Sequence, residues 1–155
     1  MNIDTKNLTI TTAYQQLTAR DFSAHELAAA YLKQIEEKNP ELNAYLEVFD
    51  DVFEQAKEAD RCIAAKENLT PLTGIPIALK DNMLLNGKRA SAASKMLEIY
   101  RASYDATAVR KLKEIGLSST ARCVAFRLDT DARAVATALR LWCKREVVNV
   151  VVSDA

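Results

Sequence analysis

The feature that most restricts this chain is the run Gly74-Ile75-Pro76-Ile77-Ala78-Leu79-Lys80-Asp81-Asn82. Ile75 to Leu79 are apolar without alternation and too few to make a helix, so the run predicts a strand buried on both faces. Such a strand belongs in a sheet covered by helices, and Pro76 is tolerable only because it sits near the start. Lys80 closes the run, an unusual place for an ammonium group. A lysine there must find a partner or lose its charge, because desolvation disfavours the charged form. A lysine tuned that way can take up a proton near neutral pH, which makes Lys80 a candidate general base. The plainer reading is a lysine just past a strand end with its head in water.

The flanking sequence supplies the helices. Ser23-Ala24-His25-Glu26 reads as a capping box, with Ser23 as N-cap and Glu26 at N3. The helix it opens carries Leu27, Tyr31 and Ile35 on one side, flanked by Ala28 and Leu32, and Asn39-Pro40 is expected to stop it. Leu42 to Phe49 is a short β-like run. Val52, Ala56, Ala59 and Ile63 recur at helical spacing and predict a second amphipathic helix to about Lys66. Glu67 to Thr73 is a polar connection. Asn86-Gly87 signals a turn, and the stretch from Ser91 to Tyr100 is mixed, with a short helix. Asp105 is expected to N-cap a helix from Ala106 to Ile115, with Val109, Leu112 and Ile115 inward and Gly116 at its C′ position. Helix and strand therefore alternate, which places the chain in the α/β class.

With 155 residues, 49% of them apolar and 27% charged, the chain is long enough for one domain with a real core. The formal net charge is +0, so no basic excess marks a nucleic-acid binder. Cys62, Cys123 and Cys143 are widely spaced and odd in number, without metal or redox spacing, and fit reduced thiols in a cytoplasmic protein. The N-terminus has no apolar signal core, and no apolar run is long enough to span a membrane. Without a secretion signal, Asn7-Leu8-Thr9 and Asn68-Leu69-Thr70 match the glycosylation pattern by chance. His25, the only histidine, reads as a solvated first-turn helix residue.

The character of the chain changes after Gly116. All glycines and prolines lie at or before that residue. Arginine becomes common beyond it and lysine nearly vanishes. In this tail Val135, Leu139 and Trp142 could form one helical face, and Val147 to Val152 is β-prone. The division is therefore 1–116 and 117–155.

The stretch from Pro71 to Asn82 resembles the amidase-signature family around its catalytic lysine, and within that family the A subunits of aminoacyl-tRNA amidotransferases. Leu8-Thr9, Ser23 to Leu27, Leu42 to Tyr45, Ala93 to Glu98, Tyr104 to Thr107 and Leu112 to Gly116 extend the resemblance, which runs from about Leu8 to Gly116. It implies the N-terminal portion of the amidase-signature fold, a mixed sheet covered by helices, here truncated. It also implies a relay of a serine nucleophile, a second serine in a cis peptide, and a lysine that draws the proton through it. The nucleophile forms an acyl-enzyme and releases ammonia, with backbone N–H groups of a glycine-rich loop holding the oxyanion. Lys80 matches the lysine of that relay, and Gly74 and Pro76 match positions that shape the approach to it.

The resemblance further implies glutamine as ammonia donor for amidation of Glu-tRNA(Gln) or Asp-tRNA(Asn). It implies a B subunit that binds the tRNA and uses ATP and Mg, with a small C subunit. No cofactor is implied in this chain, and tRNA is reached through the complex. Both family serines lie in segments beyond the Gly116-like residue, and nothing in 117–155 resembles them. Ser118-Ser119-Thr120 lacks the flanking glycine that a tight nucleophile turn needs and reads as a polar turn. Ser91 and Ser94 are nearer Lys80, with helix capping the expected role of Ser94. An inactive chain is therefore expected.

Two origins fit the tail. One is out-of-frame translation: a back-translation of Leu117 to Arg122 shifted by two bases gives Ile-Val-Asp-Gly-Lys, like the strand and Gly-Lys that the family carries there. The other is a genuine alternative ending on a non-catalytic module that binds the partner. A general amidase acting on a small amide is the remaining enzyme reading. In the family, the neighbours of the Ile75–Leu79 strand come largely from downstream chain, so an open strand edge is expected here, with Val147 to Val152 the tail's substitute strand.

Overall fold

The computed structural model describes residues 3–5, 7–114 and 125–128. In chain order they form helix α1 (Ile10–Ala19), helix α2 (Ala24–Leu42), strand β1 (Tyr45–Val48), helix α3 (Val52–Ala65), strand β2 (Ile77–Lys80), helix α4 (Thr107–Glu114) and strand β3 (Ala125–Leu128). The sheet order is β1-β3-β2, with β3 antiparallel to β1 and parallel to β2. This is a mixed α/β sheet, as the alternation predicts. The parallel pair is joined by a crossover that contains α4, the connection that parallel strands require.

The capping box forms as read. The Glu26 N–H donates to Ser23 Oγ at 3.0 Å, and the Ser23 N–H donates to Glu26 Oε2 at 2.8 Å. The Ser23 backbone bond, then its side chain, holds the Glu26 carboxyl below its ordinary value. A second carboxylate caps the same helix from outside. Asp60 on α3 accepts from the Ala24 and His25 N–H groups at 2.6 and 3.2 Å. That contact docks α3 onto the positive end of α2. Leu27, Ala28, Tyr31 and Ile35 of α2, and Val52, Ala56, Ala59 and Ile63 of α3, all lie in one core with Leu17 and Val109.

Three expectations need correction. Helix α1 is an element the periodicity reading passes over, although Thr9 and Thr12 form a reciprocal capping box at its start and Ala13 and Leu17 are buried. Pro40 does not stop α2, which runs to Leu42. A proline costs a helix the bond its missing N–H would make, and here that loss falls in the last turn. The chain's exit is fixed instead by left-handed Asn43, whose N–H reaches Asn39 O at 2.7 Å. Asn39 holds β1 as well, giving Nδ2 to Tyr45 O at 2.9 Å and accepting the Tyr45 N–H at 2.8 Å.

Asp105 does not cap α4, which starts at Thr107 with Ala106 O accepting from Arg110 N at 2.9 Å. Its carboxylate takes the Asn86 N–H at 2.8 Å and pairs with the Lys113 ammonium. The open edge expected beside the Ile75–Leu79 strand holds on one side: β2 stands at the end of the sheet order and pairs with a single strand among the described residues. That one strand is β3 at Ala125–Leu128. Ala125 to Leu128 is a short run that pairs parallel with β2 over its whole length. Ser118 to Thr120, Ile115, Gly116, Cys123, Cys143, the Val135–Trp142 face and Val147 to Val152 lie outside the described residues.

Between β2 and α4 the chain doubles back as an arm. The Gly87 N–H donates to Ala102 O at 2.7 Å, Ala102 N–H to Lys88 O at 2.9 Å, and Ala90 N–H to Tyr100 O at 3.2 Å. Arg89 and Arg101 face each other in an antiparallel bridge. The predicted turn sits at Gly87, at φ +79°, and the short helix is a single 3-10 turn, Lys95–Leu97. Ser94 precedes that turn but makes no side-chain cap. Among the described residues no helix is long and apolar enough to cross a membrane.

Candidate active site

Lys80 is the last residue of β2 and half-buried, as its place at the end of an apolar run dictates. Ile77, Ala78 and Leu79 before it are at most 2% exposed, so both faces of the strand are covered. Alternation puts Lys80 on the Ala78 face. Ala78 lines a cavity of about 20 Å³ with Leu8, Tyr31, Ile35, Tyr45 and Ile75. That volume has room for about one water and none for an amide substrate. Burial, then the neighbouring Tyr31, pushes the Tyr45 hydroxyl above the ordinary tyrosine range. In the sheet register Lys80 stands opposite Leu128, which stands opposite Tyr45. The Lys80 ammonium has no hydrogen-bond or ion-pair partner among the described residues. Ligands of open α/β sheets bind beyond the carboxyl ends of parallel strands, which is where β2 and β3 bring Lys80.

The neighbouring carboxylate faces the other way. Asp81 is fully buried, and it accepts from the Ser91 N–H at 3.1 Å and from Ser91 Oγ. The arm is thereby tied to the end of β2, and Ser91 is committed to that contact. Lys88 makes a second tie, with its ammonium 2.7 Å from Asp51 Oδ1 and 4.6 Å from the Phe49 ring centroid. Desolvation of Asp51 acts upward but is outweighed by the Lys88 and Gln55 bonds, which leave its carboxyl below the usual range. Asp105 shows the same balance, with burial opposed by the Asn86 N–H and Lys113.

Gly74 explains the approach to the strand. At φ +79° it is in the left-handed region, and a Cβ there would lie 3.0 Å from Ala24 Cβ and 3.3 Å from Leu17 Cδ1. Three helices converge on this glycine, because Ile63 Cδ1 of α3 would be 3.5 Å away. Pro76, the other approach residue, is buried against the small cavity. His25 is exposed, as expected, and its ring lies 4.8 Å from that of Phe53. Cys62 is a buried free thiol. Among the described residues no three His, Cys, Asp or Glu side chains group as a metal site.

A model of the family described as Amidase matches residues 26–123, which is most of the chain and includes Lys80 and the whole arm. This chain belongs to the amidase family. The chloroplastic and mitochondrial glutamyl-tRNA(Gln) amidotransferase A subunit of Arabidopsis thaliana is 42% identical over 107 residues, 69% of this chain and 20% of that protein. The A subunit of the glutamyl-tRNA(Gln) amidotransferase of Carboxydothermus hydrogenoformans is 41% identical over 109 residues, 70% of this chain and 22% of that protein. Among solved structures, the peptide amidase of Stenotrophomonas maltophilia superposes with a TM-score of 0.67 at 28% identity, over 79% of this chain and 24% of that one. The chain thus spans about a fifth of the length of the curated relatives it matches. The amidase fold accounts for the layout described above: helices packed over a mixed sheet, with the lysine at the end of a buried strand.

The aspartate that caps α2, Asp60, and the Asp81–Ser91 tie were missed by sequence reasoning. Neither has a local signal, because each pairs residues distant in the chain or lying across a turn. The only hint was that Asp81 follows directly on a buried strand.

Proposed function

We propose that this chain carries the lysine end of a glutamine-hydrolysing amidase site, that of an aminoacyl-tRNA amidotransferase A subunit. The 41–42% identity to the amidotransferase A subunits carries the reading, and it exceeds the 28% to the peptide amidase. Lys80 is the base of the relay. Its neutral amine takes the nucleophile's proton by way of a second serine, and the covered strand fixes the backbone from which that side chain extends. The substrate is glutamine, and ammonia passes to a B subunit that binds tRNA and uses ATP and Mg; a small C subunit completes the complex. The complex acts in the cytoplasm.

The 155-residue chain supplies the base and neither serine, so it hydrolyses no glutamine by itself. Joining the corresponding sequence of an amidotransferase relative after Gly116 is expected to produce glutaminase activity and to permit capture by a B subunit. Turnover by the 155-residue chain that disappears in Lys80→Ala would overturn the first expectation, and an inert, folded chimera the second.

The change of composition after Gly116 supports out-of-frame translation of 117–155. One observation supports the other origin: β3 lies in this tail and occupies the centre of the sheet. The gene's sequence past codon 116 decides. Family-like Ile-Val-Asp-Gly-Lys in another frame establishes the frameshift, and its absence from every frame establishes the alternative ending.

A further inference from the structure

The arm between β2 and α4 displays large apolar side chains to solvent. Met96 is 91% exposed, Ile99 87% and Tyr104 60%, with Leu97 and Tyr100 beside them. Single exposed apolar residues are ordinary, but a group of them on one segment marks a surface made to be covered. The segment is built rather than loose. Three cross-arm backbone bonds close it, the Arg101 guanidinium donates to Gly87 O at 3.0 Å, and Asp81, Asp51 and Asp105 fasten its ends to the body. The arm also holds Arg89 directly opposite Arg101, and neither has a carboxylate partner among the described residues. Like charges facing across strands oppose the pairing unless an acidic surface lies against them.

We infer that this arm is a docking surface for the remainder of an amidase-family chain, the part beyond the region matched here. That occupant presents an apolar patch to Met96, Ile99 and Tyr104, and carboxylates to Arg89 and Arg101. The argument for this occupant is length and position. The family match runs through the whole arm, yet the chain spans only about a fifth of its curated relatives. The arm lies inside the matched segment of proteins about five times as long as that segment, so chain beyond the match is there to cover it. The inference rests on the proposed function for its occupant, and the experiment separates the two.

Peroxide oxidation of Met96, followed by peptide mass spectrometry, reads the exposure of the arm directly. In the 155-residue chain Met96 is expected to oxidise at nearly the rate of a free methionine, independent of protein concentration. In the chimera that continues with an amidotransferase relative's sequence after Gly116, the rate should fall by about tenfold or more, since oxidation follows access to sulfur. In the chimera, Ile99→Glu with Arg89→Glu should restore fast oxidation, whereas Lys33→Glu on α2, at an exposed position paired with Glu37, should not.

Equal rates in chain and chimera would overturn the docking. Slow oxidation in the 155-residue chain would show that the chain covers its own arm, and a rate falling with concentration that a second copy does; either result also overturns it. The glutaminase activity of the same chimera tests the proposed function separately. Activity with unprotected Met96 sinks only the docking surface, and protection without activity sinks only the catalytic reading.

Discussion

Gly74 shows how little freedom single positions have around the lysine strand. Its φ of +79° and the 3.0 Å spacing to Ala24 Cβ leave no place for a side chain. Gly74→Ala should lose about 1–2 kcal/mol from the backbone alone, with the crowding against α1 and α2 added. A thermal melt reads this as a lower midpoint, and an unchanged midpoint would contradict the packing described. Asp105 makes a prediction in pH. Its folded carboxyl lies below the ordinary value, so its contribution is complete above the unfolded value near about 3.9. It is lost as pH falls through the folded value. Asp105→Asn should therefore be less stable than the parent at pH 7, and the gap should close at strongly acid pH. A gap that widens on acidification would have the wrong sign for a carboxylate held by Lys113 and the Asn86 N–H.

At the scale of elements, β3 decides whether the sheet exists. It pairs with β1 on one side and β2 on the other, so it contributes to both ladders. Phe126→Pro removes an N–H from the middle strand and should cost about 1–3 kcal/mol or more. Denaturant unfolding monitored by circular dichroism would show it, and parent-like stability would mean that Ala125–Leu128 is not the central strand. The elements that the sequence announced are those with a local signal. Ser23 and Glu26 mark the start of α2, the Val52-Ala56-Ala59-Ile63 spacing marks α3, and Ile75 to Leu79 marks β2. Asn86-Gly87 marks the arm's turn.

The misses share a cause. Pro40 is tolerated because it falls in a last turn, and Asp105 serves Asn86 and Lys113 because the arm's end comes close to it. β3 owes its place to a partner strand far off in sequence. None of these is visible in the residues on either side. The candidate site was legible at Lys80, whose setting is written in its own strand. The Asp81–Ser91 and Asp60 contacts depend on tertiary structure.

At the scale of the whole molecule, the chain is an amidase-family body of helices on a mixed sheet, with the lysine at the end of its buried strand. The cavity beside that strand has room for about one water and none for an amide substrate. The central claim is that Lys80 acts as a base. In the glutaminase-competent chimera, Lys80→Ala should lower kcat by about 10²–10⁴-fold, the range for removing a positioned acid–base group. The most direct measurement is kcat for Lys80→Arg in the same chimera. Arginine keeps the positive charge but cannot give up its proton at working pH, so the account predicts a loss as deep as that of Lys80→Ala. An arginine variant with near-parental kcat would contradict it and leave Lys80 a fixed charge.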